Sequence, residues 1–499
     1  MEAVNRSAAI AASLLAAFVA LLGQGAAASA VRDSRAGCPG YQLTSSQSVQ
    51  AAINARAAGS TFCLKAGVYR VAQPIAPKAG DRFIGATGTV ISGGKAVTSW
   101  AHVGHEWVAR GESRVPTLRP GGGYGGSYEY PIAVYGDDLY MDSAALQKVG
   151  VRNQGRTIGS SKVGPGQYFV DYDKGEILLG SNPFGHNVEL ATSSAGIQAH
   201  VPDVSISGVT VEMTTGAGIA TSASGWTLDG DQVRFVHGAG IQIGSNADLS
   251  NDNSHDNGTY GIIGSGANIV VQQSVFDHNN TARYYHGGDK QCYDAGGTKF
   301  TFTTGLDFEH NNVLNNLCPG IWLDIDNANS RIISNYVEGN FGNGIDDEIS
   351  YTAKICGNDV ETNAGYGILI AASSSDTVCD NTVANNGNGG IWLNQLARNE
   401  WPSPLGPHLV VNTEVTGNTV NQPHGLDGAH EAGVIGTPFA GAVFSSSNLW
   451  NNNHYVISAA GSQAFAWEGK TLNWTEWRAT GHDLSSSAQT VAGAALTSG

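Results

Sequence analysis

After its first thirty residues the chain has no apolar run long enough to cross a bilayer, and it has few cations. Lys and Arg total 26 against 42 Asp and Glu, a formal net charge of −16. Such a surface disfavours nucleic acid and anionic membranes, and a polyanionic substrate as well unless a cation bridges the two. There is no CxxC or Cys/His spacing for zinc and no GxSxG nucleophile elbow. The glycine-rich GGGYGG at 121–126 lacks the Lys-Ser/Thr of a phosphate loop and reads as a flexible turn.

What is there begins with an export signal over residues 1–30. Arg6 supplies the positive charge, Ala8 to Leu22 the short apolar run, and Ala28-Ser29-Ala30 the small residues of a cleavage site. The expectation is a secreted, extracellular protein that starts near Val31. Six cysteines in an exported chain predict disulfides. The local pairings are Cys38–Cys63, Cys292–Cys318 and Cys356–Cys379.

The last of these spans 23 residues, which is also the period of an internal repeat. Asn-x-Val-x-x-Asn recurs around Val313, Val337, Val360 and Val383, with steps of 24, 23 and 23. Gly-Ile-x-apolar follows each copy, at Gly320, Gly344, Gly367 and Gly390. Short β-branched segments separated by Asn and Gly at this period predict an all-β chain wound as a right-handed parallel β-helix of 22–24 residues per coil. Stacked asparagines are expected to bond along its axis.

Residues 31–99 then form an N-terminal cap and first coils, and 191–480 the main helix. Residues 100–190, with YPIAVYGDDLYMDS and GQYFVDYDKGEILLGS, break the period and read as a β-rich, sandwich-like insertion. Two further breaks, 281–300 and 396–409, are expected as loops framing a cleft. The aromatic WEGKTLNWTEWRATGHDL caps the open end, leaving 481–499 as a tail.

Aligning the glycines stacks Trp322 on Asp346, Leu369 and Trp392, and Leu323 on Asp347, Ile370 and Leu393. It stacks Asp324 on Glu348, Ala371 and Asn394, and Asp326 on Ser350 and Ser373. Strand alternation turns Ile321, Leu323 and Ile325 inward and Trp322, Asp324 and Asp326 outward, with Asp347 in an inward column. Neighbouring strands lie about 4.8 Å apart, so Asp324 and Glu348 should hold their carboxyl groups roughly 5–6 Å apart. Retaining glycosidases use about 5–5.5 Å and inverting ones about 6.5–9.5 Å, so the column favours double displacement.

GIWLDIDN from Gly320, followed one coil later by Gly-Ile-x-x-Glu-Ile, resembles the active-site region of the β-helix glycosidases typified by β-xylosidases of glycoside hydrolase family 120. That resemblance implies Asp324 as nucleophile and Glu348 as acid/base, with no cofactor. A sandwich that interrupts the helix in those proteins could match residues 100–190. GGTKF at 296–300 and the Trp-rich tail resemble secreted β-helix repeat proteins more widely, in the pectin-lyase-like group.

Further substrate contacts are expected from Trp322 and Trp392 through their faces, from Asp326, Asp346, Asp347, Asn394 and Tyr351, and from Lys299 and His286. Lys299 would hold Asp324 ionised. The leading expectation is a monomeric retaining glycoside hydrolase acting on polysaccharide or oligosaccharide. One alternative is a calcium-dependent polysaccharide lyase or epimerase, with Asp324, Asp326, Asp346 and Asp347 around the ion and Lys299 as base. Another is a non-catalytic carbohydrate-binding β-helix.

Overall fold

The structure is a computed structural model that describes residues 38–112, 131–283, 292, 294–395, 398, 402–422, 426–430, 442–445, 447–493 and 495–496. The signal segment and His286 lie outside the described residues. No described helix is long and apolar enough to cross a membrane. One compact unit runs from Tyr41 to Gly499.

Three long sheets of 13, 12 and 14 strands form the faces of a β-helix, and each coil gives one short strand to each face. The coil that carries Asp324 runs through Ile321–Asp324, Arg331–Ile333 and Tyr336–Glu338, and returns at Ile345–Glu348. Pairing is parallel and in the register that the repeat sets: Val313, Val337, Val360, Val383 and Val420 stand in one column. Ile321, Ile345, Ile368 and Ile391 stand in another. These side chains fill the interior, and burying each contributes about 1.5–3 kcal/mol before entropy.

Two asparagine ladders hold the corners. Asn311, Asn335, Asn358, Asn381, Asn418 and Asn453 each accept, through Oδ1, the backbone N–H of the ladder residue one coil earlier, at 2.9–3.0 Å. Asn279, Asn316, Asn340, Asn363 and Asn386 repeat this at the next corner. Buried backbone donors are thereby satisfied where the strands turn. The repeated glycine has its reason here. A Cβ on Gly344 would lie 2.5 Å from Val360 Cγ1 and 2.7 Å from Asn363 Nδ2, so the ladder approaches too closely for any side chain.

The period breaks build separate structure. Residues 101–179 supply a six-stranded sheet, and a four-stranded sheet joins Gly94–Ala96 to Leu139–Met141, Ala144–Ala145 and Val188–Ala191. Together they enclose a core of their own around Leu139, Val151, Tyr168, Ile177 and Leu190. His237 fastens this insertion to the β-helix, with Nδ1 2.8 Å from Asp138 Oδ2 and Nε2 2.7 Å from the Ala133 carbonyl.

Cys292–Cys318 and Cys356–Cys379 are disulfides, Cys38 and Cys63 are also disulfide-bonded, and no described cysteine is free. Trp450, Trp474, Trp477 and Phe465 close the C-terminal end beside a helix, Trp474–Ala479, whose Asn473 and Glu476 form a capping box. The described part of the expected tail is folded: Ser487–Thr490 adds a parallel strand to His454–Ile457, and Ala495–Leu496 turns back on it.

Candidate active site

The outward columns stand where the alignment puts them. Trp322 pairs with Asp346 and Asp324 with Glu348. Leu369 and Ala371 follow, then Trp392 and Asn394. Alternation fails beyond Asp324. The step from Gly320 to Gly344 is one residue longer than the next two steps. The structure absorbs the extra residue in a corner where Ile325 and Asp326 both take the left-handed conformation, at φ 62° and 56°; the next coil has Ile349 alone, at φ 44°. Ile325 therefore leaves the core. Asn327 takes the inward place above Ser350, donating to its hydroxyl at 3.1 Å, so the stacking of Asp326 on Ser350 and Ser373 is incorrect.

Displaced in this way, Asp326 meets His408, whose Nε2 lies 3.2 Å from Asp326 Oδ1. Asp347 points into the coil, fully buried, and faces Asp376; it reaches neither a substrate nor an ion on the outer face. Burial first, and the Asp376 charge next, push its carboxyl well above the ordinary range.

Each carboxylate of the central pair lies against a cation. Lys299 Nζ is 2.8 Å from Asp324 Oδ2 and 3.7 Å from Asp294 Oδ1, and the same ammonium sits 3.8 Å from the centre of the Trp322 ring. Arg398 forms an ion pair with Glu348 Oε1. Between them Asp346 is 7% exposed and takes one hydrogen bond, from the Asn343 amide to Oδ2 at 2.8 Å; its Oδ1 has no partner. Burial, with the Asp324 charge behind it, raises the Asp346 carboxyl to about 7 against the pull of Asn343, Arg398 and Lys299. A pocket of about 210 Å³ opens beside Lys299, lined by Gln242, Tyr260, Ile263, Ser265, Asp294 and Thr301.

The remaining expected contacts are placed differently. Trp392 is buried and stacks on Tyr366 at 5.1 Å within an apolar patch with Leu369 and Ala466, so its face is covered. Tyr351 does not orient a carboxylate; its hydroxyl donates to the Gly406 carbonyl at 2.6 Å and its ring lies against His408. Asn394 is half-buried, two coils beyond Glu348 in the Asp324 column. No three His, Cys, Asp or Glu side chains among the described residues converge as a metal site requires. With Asp347 turned inward and Asp326 taken by His408, the four acids named for calcium do not fit such an ion.

The model of the right handed beta helix region matches residues 215–386. Among solved structures, XylC in complex with xylose is similar over 83% of both chains at 12% identity, with a TM-score of 0.58. The A-module of the Azotobacter vinelandii mannuronan C-5 epimerase AlgE4 is similar over 91% of this chain and 98% of its own, at 14% identity and a TM-score of 0.44. No curated protein sequence matches. The fold is a right-handed parallel β-helix.

Three residues on this β-helix escaped the repeat reading: Arg398, His408 and Asp294. All belong to the period breaks, where no column assigns a neighbour. A charge signal was present, since Arg398 and His408 are the only Arg, Lys or His in 396–409 and that loop emerges beside five acids.

Proposed function

We propose that the protein is a carbohydrate-active enzyme, a glycoside hydrolase that works by retention. The observation that carries this reading is the direct pairing of Asp324 with Glu348 on adjacent strands. Two side chains in one column of a parallel sheet stand at about the strand spacing of 4.8 Å, which suits a nucleophile and an acid/base and leaves no room for an inverting water.

In the first step an Asp324 oxygen bonds to the anomeric carbon and the glycosidic C–O bond breaks, its oxygen taking a proton from Glu348. In the second, Glu348 takes a proton from water, the water oxygen bonds to the same carbon, and Asp324 leaves. Lys299 orients the attacking carboxylate by its 2.8 Å contact with Oδ2. Arg398, from the second period break, engages Glu348 Oε1.

A lyase or epimerase would need Lys299 as a neutral base. Its contacts, two carboxylates and the face of an aromatic ring, are those an ammonium makes, which favours the hydrolase. The test is proton NMR of the anomeric region during digestion of neutral and uronate glycans, with and without EDTA. A chelator-insensitive product that first appears with the substrate's anomeric configuration supports the reading. Inverted configuration, or an EDTA-sensitive product with a vinylic proton, overturns it.

A further inference from the structure

Trp322 and Asp346 are direct partners on adjacent strands, both on the outer face that carries Asp324 and Glu348. Each keeps one buried polar atom without a hydrogen bond: the Nε1 N–H of Trp322 and Oδ1 of Asp346. The Lys299 ammonium ties the two together, 3.8 Å from the Trp322 ring centre and close enough to act on the Asp346 charge. Buried donors and acceptors are rarely left unmade, because each retains the full cost of losing water. An unmade donor and an unmade acceptor on paired residues of the candidate site point to a ligand group that completes both.

That group must accept from an indole N–H and donate to a carboxyl oxygen. A hydroxyl does both with one atom. A carboxylate accepts from the indole but is repelled by Asp346. We infer that Trp322 Nε1 and Asp346 Oδ1 together grip one hydroxyl of a neutral sugar ring, and that this grip sets the preference for neutral over uronic sugars. The inference rests on the glycosidase reading for its substrate class. It also changes the part expected of Trp322, which recognises the sugar through its N–H edge while one ring face carries Lys299.

The test is binding, read by saturation-transfer NMR and calorimetry on the intact mature protein, with D-xylose, D-glucose, D-galactose, D-mannose and D-glucuronate as probes. At least one neutral sugar is expected to bind and glucuronate is not. Trp322→Phe keeps the ring and removes the N–H; it should weaken the neutral sugar at least tenfold. The monodeoxy sugar lacking the gripped hydroxyl should bind wild type and Trp322→Phe equally. Asp346→Asn, whose single oxygen is claimed by the Asn343 amide, and Asp346→Val should both lose binding as Trp322→Phe does.

Equal binding of the parent sugar by wild type and Trp322→Phe, tighter binding of glucuronate than of any neutral sugar, or no neutral sugar bound at all overturns the inference. A Trp322-dependent neutral sugar that is bound while no glycan is cleaved leaves the grip standing and removes the hydrolase.

Discussion

Carboxylates are buried on both sides of the coil wall, and the two sets have opposite surroundings. Outside, Asp324 and Glu348 each lie against a cation from another element, Lys299 and Arg398. Inside, Asp347 and Asp376 face each other with no cation, and Asp376 accepts only the Ala353 N–H, at 2.8 Å. Asp231 and Asp252 likewise occupy asparagine-ladder places, taking the N–H of Val209 and of Asp231. Asp376, Asp231 and Asp252 do the work of an asparagine Oδ1, and burial raises the carboxyls of these three and of Asp347. The outer acids are each matched with an opposite charge. One residue of strand alternation separates Asp347 from Asp346 and Glu348, and with it a structural role from a chemical one.

The largest effect expected from this difference follows Asp324→Asn. Losing the proposed nucleophile should lower turnover on the order of 10⁴-fold with little change in melting temperature. Glu348→Gln should cost about 10²–10⁴-fold on glycosides with poor leaving groups and far less on nitrophenyl glycosides, which need no proton. Steady-state kinetics on the two substrate types, beside thermal melts, checks both. An Asp324→Asn enzyme that keeps its rate would erase the chemical side of the comparison.

Next comes the pH dependence of stability. Asp376 and Asp427 are raised to about 7 and Asp231 to about 8, in each case first by burial. In the unfolded chain an aspartate titrates near 3.9, so between about pH 4 and 7–8 the folded state holds more protons than the unfolded one. Stability must then fall as pH rises through that window and level off above it. Denaturant melts at pH 5 and pH 8 should show the lower midpoint at pH 8. A higher midpoint at pH 8 would mean that the inner acids are already ionised in the fold at pH 5.

Asp347→Asn sharpens the same point at one residue. Asparagine keeps the shape and cannot ionise, so the variant should be more stable than wild type at pH 8, and by less at pH 4. Turnover should stay within about twofold, because the side chain never reaches the outer face. A large loss of activity with intact stability would place Asp347 in the chemistry.

The side of the wall on which an acid falls was legible in the sequence wherever the repeat held. The pairs Trp322/Asp346, Leu323/Asp347 and Asp324/Glu348 follow from aligned glycines, because in-register parallel strands leave no freedom in the column. Legibility ended where the period did. The longer step after Gly320 marked an extra residue without saying where the chain would absorb it, and the Ile325–Asp326 corner moved Asp326 out of its column to His408. Burial was hidden too. Trp392 and Trp322 share a column, yet Tyr366 covers the first and Lys299 lies on the second, contacts from neighbouring coils that no single repeat shows.

The smallest effect tests how firmly the outer set is held. Among the described residues, contacts that tie 396–409 to the site include Arg398 on Glu348, His408 on Asp326, and the Tyr351 hydroxyl on the Gly406 carbonyl. Only the last involves no acid of the outer face, so Tyr351→Phe loosens the loop without altering site charge. A neutral hydrogen bond of this kind contributes about 0.5–1.5 kcal/mol. If the loop positions Arg398, the variant should raise KM a few-fold, leave kcat within about twofold, and shift the melting temperature little. A fall in kcat at unchanged KM would instead tie the loop to the chemical step. Glu348 would then depend on Arg398 for its charge balance during turnover, as Asp324 depends on Lys299.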